Sequence, residues 1–287
     1  MVRVANAQER TWEVSLLLPS FNTYYQENAK DLANGQPIDL EGNSWDALQF
    51  NPRLIYRARE ELNLPLFLSL DVNVPVVTIT RLEVGHEQLI SGTTAVTQQE
   101  QVAHNDLSAR LLLGWEMLPF LQPYIALERS RFTSERTGQR NGNDSGGYTP
   151  DNNSDYTETI YSTQLGLGIT GMIPLNENAD VRLRYEASYE VPQAVFVSNS
   201  YYASSGVWGQ GTGGYTLNGK VQLDIPLRVT EMLSEHDGYF TIGGLISKRH
   251  WNGWSGFGLV NGLPGTLMWP ENYWVKAGGF IGIGMFF

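Results

Sequence analysis

The chain contains no cysteine, which excludes disulfide bonds, zinc–thiolate sites and cysteine nucleophiles from its 287 residues. Charged residues are scarce, at 17% of the chain against roughly 25% in typical soluble domains. No run of about 18 apolar residues is present, so no transmembrane helix is predicted. The formal net charge of -11 argues against a nucleic-acid partner, because nucleic-acid-binding domains are basic.

Apolar and polar residues alternate along most of the chain, which is the pattern of β-strands whose two faces meet different environments. The alternation recurs in about ten segments, many about ten residues long, whereas strands of soluble proteins average about 5–6 residues. A tilted strand crosses a membrane with about 9–11 residues. Short connections lie near 59–64, 117–120, 174–179 and 230–237, and long ones near 20–45, 83–102, 130–156, 192–212 and 250–270. Outer-membrane barrels show the same alternation of short inner turns and long outer loops.

Together these features predict an all-β fold, a transmembrane antiparallel up-and-down β-barrel of about 10 strands. The range of 8–12 strands stays open, because 83–102 or 192–212 could hold a further hairpin. Residues 8–287 are predicted to form one barrel domain with long extracellular loops, located in the cell outer membrane. Ala5-Asn6-Ala7 has the small-x-small form of a signal-peptidase site, so residues 1–7 are interpreted as an export-signal remnant, with an ordinary tail as the alternative.

The polar strand faces carry full charges in mid-strand, and in a membrane barrel these faces line the lumen. The predicted lumen-lining residues, which are the candidates for transport, are Arg53, Arg57, Asp71, Arg110, Glu116, Arg182, Arg184, Glu186, Lys220 and Asp224. Because buried charges must be paired, we expect an internal salt-bridge network that either plugs the lumen or lines a narrow wet path. Glycines on the same faces either leave room for such a path or relieve strand curvature. These glycines are Gly166, Gly168, Gly278, Gly282 and Gly284.

Aromatic residues lie toward the predicted strand ends, while apolar positions in mid-strand are mostly aliphatic. This distribution favours aromatic belts at the two membrane interfaces over the general β-propensity of aromatic residues. The predicted belt residues are Trp12, Phe50, Trp115, Tyr161, Tyr189, Tyr215, Tyr239 and Tyr273.

The chain ends in an alternating segment with a final phenylalanine. Tyr273, Ile281, Ile283, Met285 and Phe287 resemble the C-terminal β-signal of Gram-negative outer-membrane proteins, with a small departure at the neighbouring glycine 279. The resemblance covers about ten residues and identifies no specific family. It implies the barrel assembly machinery as a partner, beside outer-membrane lipid and lipopolysaccharide, and it leaves the oligomeric state open.

Three functions stay open at this point. The first is a narrow, porin-like passive channel for small solutes, and the second is a closed barrel with a surface-contact or structural role through its long outer loops. The third is a surface hydrolase at the outer rim, because the omptin proteases resemble this chain in length and strand count. Omptins need paired aspartates and an Asp–His pair; the candidates are His104, Asp106, Asp155 and His250, and the spacing of the first two does not match the omptin pattern.

No cofactor or metal ion is predicted. His86-Glu87-Gln88-Leu89-Ile90 begins like the zinc-protease motif His-Glu-x-x-His, but Ile90 stands where the second histidine ligand is required. The polar loop within 141–155 offers oxygen ligands for calcium without the EF-hand spacing, so a solvated loop is the simpler interpretation.

Overall fold

The structure is a computed structural model. It describes residues 11–30, 37–79, 81–88, 94–142, 148–150, 156–176, 181–199, 205–209, 213–227, 237–260, 263–269 and 271–287. The predicted export-signal remnant, Asp155 and most of the polar loop within 141–155 lie outside the described residues.

Almost all described residues are in β-strands. The first half of the chain contains β1 Trp12–Lys30, β2 Pro37–Arg57, β3 Leu66–Ile79, β4 Arg81–Gln88, β5 Thr94–Trp115, β6 Gln122–Gly142 and β7 Tyr148–Pro150. The second half contains β8 Tyr156–Pro174, β9 Arg182–Asn199, β10 Ser205–Gly209, β11 Gly214–Pro226, β12 Asp237–Trp251, β13 Trp254–Val260, β14 Leu263–Trp269 and β15 Glu271–Phe286. One helical turn occurs in the described residues: α1 Arg59–Leu62 connects β2 to β3 and ends at Asn63, whose φ is 53°. Among the described residues no helix is long and apolar enough to cross a membrane.

The strands form a closed antiparallel barrel of ten strands, as the alternation predicted. The order around the wall is β1, β2, β3 with β4, β5, β6, β8, β9, β11, β12 and β15, and β15 pairs back onto β1. The described residues of the regions 83–102 and 192–212 add no strand to the wall: β4 and the start of β5 extend it, and β10 pairs with β9. We call the end with the helical turn and residues 12 and 287 the turn end, and the opposite end the loop end.

The two faces of the wall follow the predicted alternation. Leu16, Leu54, Leu111, Ile125 and Ile283 are exposed on the outward face. In each of these strands the residues next to them in sequence point into the lumen and are buried or nearly buried. The outward face therefore carries a continuous aliphatic band.

The prediction of an aromatic belt is wrong for one residue. Tyr239 is 1% exposed and lies inside the lumen, because it is an odd-numbered residue of β12, whose even-numbered Ile242 and Ile246 face outward. The other predicted belt residues, Trp12, Phe50, Trp115, Tyr161, Tyr189, Tyr215 and Tyr273, are exposed or half-buried, in phase with the outward residues of their strands.

The lumen glycines do not leave an open wall. A Cβ atom added at Gly168 would lie 2.3 Å from Cζ of Tyr124, and one at Gly284 would lie 2.2 Å from Cζ of Tyr239. Added Cβ atoms at the other three predicted positions, Gly166, Gly278 and Gly282, would also overlap neighbouring atoms. Because glycine has no side chain, large side chains of neighbouring strands approach closely at these positions and fill the space beside them.

We predict that Gly284→Ala destabilises the barrel by about 1–3 kcal/mol, because the new methyl group displaces Tyr239 from a packed interior. The matched control is Gly279→Ala on the outward face of the same strand, where the nearest atom to an added Cβ is 3.5 Å away; it should change stability by less than about 0.5 kcal/mol. Urea unfolding of both variants, refolded into lipid vesicles, measures the difference. Equal stability of the two variants would contradict the packed-lumen account.

Candidate functional site

Near the turn end, Glu13 joins three sides of the barrel. Its Oε2 lies 3.0 Å from Nη2 of Arg57 on the neighbouring β2. Its Oε1 forms an ion pair with Arg184 of β9 and accepts a hydrogen bond from the Tyr239 hydroxyl of β12 at 2.7 Å. The Arg184 Nε atom also lies 2.5 Å from Oδ2 of Asp224. Strand β9 is four positions away from β1 around the wall, so these contacts cross the lumen.

Glu116, the first residue after β5, completes this layer. The Arg57 Nε atom lies 3.3 Å from its Oε1, and Arg59 of the helical turn approaches its Oε2 at 3.7 Å. Glu13 and Glu116 are both almost fully buried. We refer to Glu13, Arg57, Glu116, Arg184 and Asp224 as the lower ion layer.

In the middle of the barrel Glu186 is the centre of a second group. Its Oε2 lies 3.2 Å from Nη2 of Arg53, and its Oε1 forms an ion pair with Arg110. Arg53 also pairs with Asp71 at 3.0 Å, and Arg110 pairs with Glu190 at 2.7 Å. Since β2 and β9 are five positions apart in a ten-stranded wall, the Arg53–Glu186 pair joins opposite sides of the barrel.

Nearer the loop end two further ion pairs cross the lumen. Arg249 of β12 reaches Oε1 of Glu128 on β6 at 2.7 Å, and Lys276 of β15 reaches Oδ2 of Asp106 on β5 at 2.7 Å. All four side chains are largely buried.

Above these pairs an aromatic layer fills the lumen. The rings of Phe132 and Trp274 stack with centroids 3.9 Å apart, although β6 and β15 lie on opposite sides of the barrel. His104 stacks on Phe132 at 5.3 Å, Tyr25 lies 5.3 Å from His104, and Trp251 packs edge-on against Trp274 at 4.4 Å. Ile160, Val195 and Val197 complete this apolar cluster.

Two of the predicted lumen cations stand apart from the ion pairs. The guanidinium of Arg182 lies 4.7 Å from the ring centroid of Phe286, and the ammonium of Lys220 lies 5.3 Å from that of Phe280. Within the part of the chain that the structure describes, neither has a carboxylate oxygen within 4.0 Å. At both positions the positive charge lies near the electron-rich face of an aromatic ring, which attracts it.

A cavity of about 160 Å³ remains between the Glu186 group and the ion pairs Arg249–Glu128 and Lys276–Asp106. Its lining includes Asp106, Arg110, Asn218, Lys220 and Ser247. A cavity needs about 10–15 Å³ of such volume to hold one water, so this one has room for several. A smaller cavity of about 40 Å³ lies toward the lower ion layer. The lumen thus contains a chamber, lined mainly by polar and charged residues, between the Glu186 group and the two ion pairs nearer the loop end.

The hydrolase candidates do not come together. His104 and Asp106 point into the lumen, 1% and 7% exposed. His250 is on the outward face of β12, where its Nε2 lies 2.7 Å from Oε1 of Glu271 and its ring stacks on Tyr273 at 4.4 Å. Hydrogen bonds from Tyr273 and His250 hold the pKa of Glu271 below its ordinary value at this loop end. Among the described residues these three candidates therefore form no common site.

All ten residues predicted to line the lumen point into it, and eight of them take part in ion pairs; their transport role stays a prediction. Sequence reasoning missed Glu13 and Arg249 as members of the network. Alternation alone could have found both, since they occupy the lumen phase of β1 and β12. It also missed the aromatic layer, because the contact of Phe132 with Trp274 depends on which strands face each other.

No protein family profile matches the chain, and no curated protein matches its sequence. Among solved structures, the outer membrane protease OmpT from Escherichia coli superposes with a TM-score of 0.62 at 11% identity, over 97% of this chain and 97% of that chain. The transport unit of the autotransporter AIDA-I from Escherichia coli gives a TM-score of 0.34 at 11% identity, covering 93% and 89% of the two chains. The translocator domain of the autotransporter NalP from Neisseria meningitidis gives 0.32 at 10%, covering 94% and 87%.

The two autotransporter scores are too low to support a conclusion. At 11% identity the likeness to OmpT concerns the fold and not the activity. The chain therefore has the closed ten-stranded barrel fold that is found in an outer membrane protein.

Proposed function

We propose that this protein is an integral outer-membrane barrel whose lumen is closed at rest, and that it acts through its outer end in surface contact or in envelope structure. The observation that carries the proposal is the set of side-chain contacts across the lumen at several levels. The Arg53–Glu186 pair and the Phe132–Trp274 stack each join opposite walls. An open pore of this strand number would need those side chains to separate.

The membrane location is supported by the outward aliphatic band. Leu167, Ile125 and Ile283 are more than half exposed, and lipid tails satisfy such a surface where water does not. In this setting Trp12, Trp115 and Tyr189 lie in the belts expected at the membrane interfaces. Outer-membrane lipid and lipopolysaccharide are then the surroundings of the barrel. The outward position of Ile281, Ile283 and Phe287 is compatible with reading of the C-terminal segment by the barrel assembly machinery.

The second candidate is the narrow solute channel predicted from the lumen charges. The polar cavity of about 160 Å³ favours it, because a path for small polar solutes would pass through such a chamber. The glycines on which that prediction rested do not favour it, because large side chains occupy the space beside them. A rim hydrolase is not proposed, since no described set of residues supplies its chemistry.

We predict that the wild-type protein, refolded and inserted in a planar bilayer, gives no steady single-channel current. A double variant, Phe132→Ala with Trp274→Ala, removes the largest contact of the aromatic layer and should increase the frequency of current steps. Folding and insertion of both proteins are checked by heat-modifiable mobility on gels. Steady wild-type currents that change with Arg184→Ala would establish the channel instead.

We also predict that Glu13→Gln costs about 1.5–3 kcal/mol of stability, because it removes the buried carboxylate that Arg57 and Arg184 share and leaves only Glu116 and Asp224 as their counter-charges. The matched control is Glu61→Gln, an exposed carboxylate of the helical turn whose loss should cost less than about 1 kcal/mol. Unfolding by urea in lipid vesicles compares the two. A Glu13→Gln variant as stable as Glu61→Gln would show that the lower ion layer does not hold the barrel together.

A further inference from the structure

Two arginines lie on the outer wall of the barrel. Arg129 and Arg131 alternate with lumen residues of β6 and are both exposed. Directly below them on the same outward face are Ile125 and Leu127, and the neighbouring strand β8 contributes Leu167. The aliphatic band thus ends at a pair of full positive charges.

Their height is set by the geometry of the strand. From Leu121 at the turn end to Arg129 the chain advances eight residues, which is a climb of about 20 Å at about 3.4 Å per residue and a tilt of about 40°. Arg131 lies about 5 Å higher. An outer-membrane apolar band is about 25 Å tall. Under the proposed membrane location, Arg131 lies at the upper edge of this band, next to the outer-leaflet headgroups, and Arg129 lies about 5 Å below it.

Neither arginine has a counter-charge among the described residues. Nη1 of Arg129 donates to Oγ1 of Thr163 on β8 at 2.6 Å, which fixes its direction without neutralising it. In the described part of the chain no carboxylate oxygen lies within 4.0 Å of Arg129 or Arg131, whereas the lumen arginines Arg53, Arg57 and Arg110 each have two carboxylate partners.

The neighbours of the pair add a flat, partly polar surface. Arg131 is in register with Tyr161 on β8, whose ring lies 5.9 Å from that of Phe196 on β9. Side chains two apart on one strand face are separated by about 7 Å. Two guanidinium groups at that spacing can each offer a pair of N–H donors to phosphate oxygens.

We infer that Arg129 and Arg131 form a binding site for the phosphate groups of an outer-leaflet lipid headgroup, with Thr163 as the positioning residue of Arg129. The inference rests on the proposed membrane location but not on the closed lumen. The ligand is a lipid-borne phosphate and not free phosphate, because the aliphatic band directly below the arginines takes the acyl chains of the same molecule.

The test measures binding of a bis-phosphorylated glucosamine-disaccharide lipid to the full chain in uncharged detergent micelles, with the dephosphorylated form of that lipid as the matched ligand. Arg129→Gln with Arg131→Gln should weaken binding of the phosphorylated lipid by at least about tenfold, and added salt should weaken wild-type binding. The matched control variant is Lys248→Gln, an exposed cation on the outward face of β12, which should stay within about twofold of wild type. Arg129→Lys with Arg131→Lys should recover part of the affinity.

Three results would overturn the inference: equal binding by the Arg-to-Gln variant, equal binding of the dephosphorylated lipid, or displacement of the lipid by millimolar inorganic phosphate. Circular dichroism and heat-modifiable mobility confirm that each variant is folded before binding is measured. If the binding experiment contradicts the lipid site, the proposal of a closed lumen still stands. If the barrel conducts ions in a planar bilayer, the result on lipid binding still stands. Failure of the wild type to insert into lipid vesicles would separately contradict the membrane location.

Discussion

Pairing of charges across a narrow interior is the constraint on which the rest of this barrel depends. The carboxylate of Glu186 meets arginines from β2 and β5, and that of Glu13 meets arginines from β2 and β9. A buried charge without a partner carries a large desolvation penalty, and removal of one partner leaves the other uncompensated. The pairs of Glu186 with Arg53 and Arg110, and of Glu13 with Arg184, therefore tie together strands that share no backbone hydrogen bonds, and the wall cannot widen without breaking them.

Size complementarity between neighbouring side chains on the inner face also keeps the lumen narrow. Gly168 and Gly284 sit beside Tyr124 and Tyr239, so each missing side chain on one strand is matched by a large one on its neighbour. The Tyr239 hydroxyl then donates to Glu13, which links the packing of the wall to the lower ion layer. The lumen behaves as the core of the protein, with polar contacts where a soluble domain has aliphatic ones.

Much of this architecture was predictable from the sequence, because a period of two assigns every strand residue to one of two faces. That rule placed Arg53, Arg110 and Glu186 in the lumen. It could not say which strands oppose each other, since that depends on strand number and stagger, and so it missed the stacking of Phe132 on Trp274. Tyr239 was assigned to a membrane belt because its residue type and its place near a strand end outweighed its phase.

The most direct test of a packed lumen is thiol accessibility, which the cysteine-free chain allows without background. Ser162→Cys introduces a thiol at a fully buried lumen position, and Asn252→Cys introduces one at an exposed position near the loop end. The rate of reaction with a small charged thiol reagent is measured for both in lipid vesicles. A filled lumen predicts that the thiol at 162 reacts at least about a hundredfold more slowly than the one at 252. Comparable rates would mean that water and solutes pass freely through the barrel, and would contradict the account.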